Sequence, residues 1–166
     1  MFELKRLSKE AVPAALEKAV RYRLLNEPLE AESICRDILA VDPGHQEAIV
    51  TLLLALTDQF EDRLAAAVEQ AQETLSQMRD EYSRIYYGGI VCERRARVHL
   101  KRGGPHAGRS AYGWLQQAME HYEKAAALRP PANDDAILRW NTCARLIMGN
   151  PSLVPEAEES FQPWLE

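Results

Sequence analysis

The side chains best suited to recognition chemistry form a basic run in the second half of the chain. Residues 84–109 carry seven lysines and arginines against a single acid, Glu93. At about 100° per residue, Arg94, Arg97 and Lys101 fall on one face of a helix. Guanidinium groups bind carboxylates through paired, charge-assisted hydrogen bonds. The spacing therefore favours a face that could recognise an acidic segment of a partner.

Other interpretations of this basic run stay open. In one interpretation, the face is an ordinary solvated helix surface. In another, Arg95 or Arg97 pairs internally with Asp134 or Asp135. The run could also pair with residues 151–166, which hold four glutamates and no basic residue. Nucleic acid is disfavoured as a partner because the chain has a net charge of −5, whereas nucleic-acid-binding domains are usually basic.

Catalytic and metal sites have little support in the sequence. The four histidines do not cluster, and Cys92 and His99 lie seven positions apart on one helical face. Such a pair supplies two ligands, whereas zinc sites use three or four protein ligands. No glycine-rich phosphate loop follows a strand. We therefore predict that the chain is not an enzyme and has no cofactor or metal. A helical enzyme, or an accessory subunit of one, is the weakest alternative.

The cysteines and the apolar runs indicate a compartment. Cys35, Cys92 and Cys143 are odd in number and far apart, as expected of buried thiols in a reducing compartment. No run of about 18 apolar residues could span a membrane. Residues 1–6 lack the apolar region of a secretory signal. We predict a cytoplasmic location and no membrane partner.

Apolar residues recur every three or four positions along almost the whole chain, which is the pattern of amphipathic helices. No segment alternates polar and apolar residues between turn signals, so we predict an all-α fold in a single domain, 1–166. Pro13 and Pro28 mark the first turns of two helices, with Asn26 as the N-cap of the second. The glycines and proline of 103–109 predict an irregular connection. The last four helices are expected at about 62–78, 81–101, 110–128 and 134–148.

Two of these helices repeat one spacing, in which a small residue is followed by residues at plus four and plus seven and by a proline at plus twelve. The two sets are Ala31, Cys35, Ile38 and Pro43, and Ala118, Tyr122, Ala125 and Pro130. A second pattern of bulky, small and bulky residues occurs in other helices. Its instances are Ala15-x-x-Lys18-Ala19-x-x-Tyr22, Ile85-x-x-Gly88-Gly89-x-x-Cys92 and Trp140-x-x-Cys143-Ala144-x-x-Ile147.

These patterns resemble the tetratricopeptide repeat (TPR), a 34-residue helix–turn–helix unit. Its small residues let helices approach closely, and its proline ends the second helix. The resemblance implies a right-handed helical solenoid of about three helix hairpins, a seventh helix and a C-terminal capping tail. A generic helical bundle is the alternative. The implied repeats are 12–45, 46–79 and 82–130, followed by a half-repeat, 133–148, and the tail, 149–166.

The resemblance also implies a concave groove, lined by the first helix of each repeat, that holds a peptide or a helix of a partner. The implied groove positions are Leu16, Val20, Val50, Thr51, Leu54, Tyr86, Tyr87, Ile90, Glu93, Arg94, Asn141, Thr142 and Arg145. As candidate partner contacts we select Tyr86, Tyr87, Arg94, Asn141 and Arg145. The predicted function is a non-catalytic protein-interaction module, an adaptor or scaffold. A self-associating homodimer is the alternative, because a short array exposes apolar end faces.

Overall fold

The computed structural model describes residues 1–155, and residues 156–166 lie outside the described part. All regular structure in residues 1–155 is helical, with no strand, which confirms the all-α class. Most of the expected capping tail, 149–166, lies outside the described residues. None of the described helices is long and apolar enough to cross a membrane. The helices are α1 Val12–Leu24, α2 Pro28–Val41, α3 Gln46–Thr57, α4 Phe60–Ser76, α5 Glu81–Arg102, α6 Ala107–Leu128 and α7 Asp135–Gly149.

Local sequence explains where several helices begin. Pro13 and Pro28 lie in the first turns of α1 and α2, where a missing N–H breaks no helical hydrogen bond. Asp80 caps α5, since its carboxylate accepts a hydrogen bond of 2.8 Å from the backbone N–H of Ser83. Such a cap satisfies one of the free N–H groups of the first turn and favours a start at that position.

Two local predictions are wrong. Asn26 does not cap α2, because Glu27 occupies that position and Asn26 has a φ of 60°. This left-handed conformation, which asparagine tolerates better than most residues, turns the chain between the two helices. Helix α6 begins at Ala107, so the end of the glycine-rich connection is helical. Only Gly103 and Gly104 of that connection have positive φ.

Helix α5 separates two hydrophobic cores. Each helix packs on the next one along the chain, and α1 also packs on α3. Val91 and Val98 face the first core, which α1–α4 complete. Ile90, Cys92 and Ala96 face the second core, which they share with α6 and α7. The two halves of the described molecule therefore meet along one helix.

A glycine sets the distance between α5 and α6. A Cβ atom on Gly89 would lie 2.6 Å from the ring of Tyr122, which is fully buried. Glycine in a helix interior costs about 1 kcal/mol relative to alanine. Close packing of the tyrosine ring explains why the position holds glycine.

Candidate partner-binding groove

A groove of about 470 Å³ runs across α1, α3 and α5. It is lined by Leu16, Val20, Gln46, Glu47, Val50, Thr51, Met78, Arg79, Asp80, Ser83 and Tyr87. Five of these residues are positions that the repeat resemblance implies for a groove: Leu16, Val20, Val50, Thr51 and Tyr87. Val20 is 43% exposed, so an apolar side chain of the groove is open to a partner. We call this feature the α1/α3/α5 groove.

The polar rim of the groove comes largely from the connection between α4 and α5, which sequence reasoning missed. The backbone N–H of Arg79 donates to Oε1 of Gln46 at 2.9 Å, which ties the connection to α3. The hydroxyl of Ser83 donates to Asp80 at 2.7 Å. The hydrogen bonds from Ser83 hold the pKa of Asp80 below its ordinary value, so this rim residue is charged at neutral pH. The signal available in the sequence was Asp80, because an aspartate just before a helix is typical of an N-cap.

Arg94 lies in an ion-pair cluster that joins three helices. Its Nη1 donates to Oδ1 of Asp58 at 3.2 Å, and Nε of Arg23 donates to Oδ2 at 2.7 Å. Asp58 directly follows α3, so one carboxylate connects α1, α3 and α5. This candidate contact is therefore already held in an ion pair inside the chain, with a carboxylate that it shares with Arg23.

Glu93, another implied groove position, lies in the interior between α5, α6 and α7. Its side chain is 1% exposed. The hydroxyl of Tyr122 donates to Oε2 at 2.8 Å, while Arg97 and Arg139 donate to Oε1 at 3.0 and 3.3 Å. Burial, together with the charge of Glu93, raises the pKa of Tyr122, so its hydroxyl stays protonated and donates. Glu93 therefore does not line the groove.

The adjacent tyrosines of α5 have different surroundings. Tyr87 lines the α1/α3/α5 groove. Tyr86 packs against the second core. Its ring stacks on the ring of Tyr82 with centroids 5.7 Å apart, and its centroid lies 5.9 Å from the ring centroid of Tyr122. Burial raises the pKa of both Tyr86 and Tyr87. Of the two candidate contacts, Tyr87 is the one placed at the groove.

The remaining implied positions lie away from this groove. Asn141 is half-buried on α7, and Thr142 and Arg145 are exposed there. None of the three lines the α1/α3/α5 groove. Ile90 is buried in the second core, and Leu54 packs against that core. The structure thus brings together groove positions from α1, α3 and α5 but not from α7.

The suggested internal pairs of Arg97 are wrong for residues 1–155. Arg97 pairs with Glu93, four residues earlier and on the same helix, rather than with Asp134 or Asp135. Asp134 instead accepts from Arg129 at 3.1 Å. A partner one helical turn away needs no particular tertiary arrangement, which favours it over a partner on another helix.

Two other bases of the run also have internal contacts. Lys101 forms an ion pair with Glu61. The guanidinium carbon of Arg95 lies 3.5 Å from the ring centroid of Trp114, a cation–π contact between α5 and α6. Arg94, Arg97 and Lys101 are therefore held in ion pairs within the described residues, and Arg95 lies on an aromatic ring.

The described residues contain no group of three or more His, Cys, Asp or Glu side chains that could hold a metal ion. All three cysteines are buried and unpaired. Burial raises the pKa of Cys35 and of Cys143 to about 12, so both are thiols rather than thiolates near neutral pH. The thiolate is the reactive form of cysteine, so these side chains have the character of core residues.

No protein-family model, curated protein or solved structure matches this chain. The geometry and chemistry of the groove therefore carry the functional argument.

Proposed function

We propose that this chain is a non-catalytic interaction module with TPR-like, right-handed solenoid architecture. The packing of each helix on the next supports this proposal. So does the contact between α1 and α3, because first helices of successive repeats lie side by side in a solenoid. The three buried thiols are compatible with the reducing cytoplasm, where we place the protein.

The observation that carries the proposal is the apolar lining of the α1/α3/α5 groove. Leu16, Val20, Val50 and Met78, together with the ring of Tyr87, contribute to this lining. An amphipathic helix or extended peptide binds such a groove through a few apolar anchors. The matching ligand is a short peptide or helix of another protein that presents apolar side chains.

The groove favours apolar anchors over an acidic ligand. Its rim contains Glu47 and Asp80 beside Arg79, so it has no excess of positive charge. Arg94 and Arg97 are held in internal ion pairs. We therefore do not include the acidic partner suggested by the basic run in this proposal.

The proposal can be tested by selecting peptides from a displayed random library and measuring their affinity by fluorescence polarisation. Val20→Lys should weaken binding at least about tenfold, roughly 1.4 kcal/mol, because it places a charge in the apolar groove. Tyr87→Ala should act in the same direction by removing an aromatic wall. Leu138→Lys is the matched control, since Leu138 is a 62% exposed apolar residue on α7 outside the groove.

Equal affinity of the wild type and both groove variants would contradict the proposal. So would peptides that lose affinity only with Leu138→Lys. Thermal unfolding of each variant separates lost binding from lost folding.

Self-association is a second candidate, favoured by an exposed apolar patch at the α1–α2 hairpin. Leu24, Leu25 and Leu29 are 81%, 64% and 66% exposed. Large apolar side chains left exposed at one hairpin are candidates for an interaction surface. Sedimentation velocity should show a dimer that Leu25→Glu converts to monomer. A wild-type monomer at high micromolar concentration would exclude this candidate.

A further inference from the structure

A second cavity, of about 420 Å³, lies where the end of α5 meets the start of α6. It is lined by His99, His106, Arg109, Ser110, Gly113, Trp114 and Gln117. Arg95 lies on the Trp114 ring that forms part of its wall. Among the described residues, the lining contains no acidic side chain, and we call it the cationic cavity.

The positive charges around this cavity lack acidic partners within residues 1–155. The ion pairs there involve neither Arg95 nor Arg109. The buried Nε of Arg95 has no hydrogen-bond partner among the described residues. Burial lowers the pKa of His99, and the charges of Arg95 and Arg102 lower it further, which indicates a positive potential. An anionic ligand would relieve this potential.

The chain itself passes beside the cavity after α7. The carbonyl oxygen of Ser152 lies so close to Gly108 that a Cβ there would be 2.0 Å from it. Leu153 is buried in the second core, which fixes this crossing over the first turn of α6. Arg109 is the next residue of that turn. The eleven residues that follow Pro155 can extend at most roughly 40 Å, enough to enter the cavity.

We propose that the acidic segment 156–166 occupies the cationic cavity, with its glutamates paired to Arg109. The segment carries four glutamates and no basic residue. It therefore supplies the charge that this part of the structure lacks. The docked segment joins the end of the chain to α5 and α6, away from the α1/α3/α5 groove.

A groove between α6 and α7 is the rival location, and charge argues against it. This groove, of about 370 Å³, is lined by Tyr112, Gln116, Met119, Glu120, Glu123, Ala144, Ile147 and Met148. Its two glutamates would repel an acidic segment, whereas the cationic cavity attracts it. Gln116 and Gln117 are adjacent in sequence but line different cavities. They provide a matched pair of probe positions.

The test is disulfide formation in the full chain between Ser160→Cys and either Gln117→Cys or Gln116→Cys. A disulfide requires Cα atoms within about 7 Å, so its yield reports where the segment lies. The buried native thiols should not compete, and peptide mapping identifies the pair formed. We expect the intramolecular disulfide mainly with Gln117→Cys.

Every other outcome overturns the proposal. Equal yields would mean that the segment has no fixed site, and a higher yield with Gln116→Cys would place it in the rival groove. Disulfides formed only between two molecules would mean that the segment binds a second copy.

A charge variant tests the electrostatic cause separately. Arg109→Glu should lower the Gln117→Cys yield by about threefold, the effect of losing an exposed ion pair, whereas Arg109→Lys should preserve it. A yield that is the same for all three residues at position 109 would contradict the ionic basis of docking.

Discussion

Asp58 and Glu93 are each bound by two arginines but lie in different surroundings. Asp58, in the first half of the molecule, is 16% exposed. Glu93, in the second half, is 1% exposed and also accepts from the hydroxyl of Tyr122. Water can solvate a charge near the surface when its pair is broken, but it cannot reach one in the interior. Similar contacts should therefore contribute unequally to the free energy of unfolding. The stability of the second half should depend more on its polar network.

The largest expected effect comes from Glu93→Ala. It should lower the free energy of unfolding by about 3–5 kcal/mol, because Arg139 and the buried hydroxyl of Tyr122 both lose their acceptor. Urea denaturation followed by circular dichroism measures the loss. Glu93→Gln keeps an acceptor oxygen without the charge and should fall between the wild type and Glu93→Ala. A loss below about 1 kcal/mol for Glu93→Ala would remove the proposed difference between the two halves.

Tyr122→Phe should have the next largest effect, about 1.5–3 kcal/mol, which is typical of a buried hydrogen bond to a charged group. The variant keeps the ring that packs on Gly89 but leaves Oε2 of Glu93 without this donor. The same urea experiment applies. Tyr87→Phe is a matched control on the facing helix, since the hydroxyl of Tyr87 is bonded to neither Glu93 nor Arg139 among the described residues. If both variants lost the same free energy of unfolding, the loss would come from the general surroundings of the two tyrosines rather than from the hydrogen bond to Glu93.

A smaller effect is expected for Asp58→Ala, at most about 1 kcal/mol, because the side chains of Asp58 and its partners are partly exposed. High salt should reduce the difference in unfolding free energy between the wild type and Asp58→Ala, since screening weakens exposed ion pairs more than buried ones. A double-mutant cycle with Arg94→Ala isolates the pair. A coupling energy as large as that of the Glu93 network would show that exposure does not separate the two clusters.

The smallest difference is expected between the two cores when their thiols are probed. Cys35 and Cys143 have the same raised pKa of about 12 and are both buried, so a thiol reagent at pH 8 should modify both very slowly. Mass spectrometry of time points measures each rate. Much faster labelling of Cys143 would show that the second half opens locally despite its ion-pair network.

The sequence predicts the helices and much of the core well because those properties depend on nearby residues. The repeated spacing identifies Ala31, Cys35, Ala118 and Tyr122, and all four are fully buried. An apolar residue every three or four positions defines the buried face of a helix whatever lies against it. The start of a helix can be predicted in the same way from a local signal, such as Pro28 at the start of α2.

The polar contacts were less predictable because they join distant parts of the chain. Asp58 lies 36 positions from Arg94, and Glu93 lies 46 positions from Arg139. Charge patterns on one helix cannot tell a groove residue from a buried one when the facing helix is unknown. Asn26 shows the limit at short range, since the same residue type serves both helix caps and left-handed turns.

Helix α5 faces both cores, and this fixes its length as well as its composition. Inserting one residue near its middle would rotate the following part by about 100° and move Val98 and Ala96 away from their respective cores at once. No single compensating substitution could restore both contacts. The connection at Gly103 and Gly104, where nothing lies within 4 Å of either added Cβ, carries no such constraint. Changes in chain length between related proteins should therefore accumulate after α5 and be absent within it.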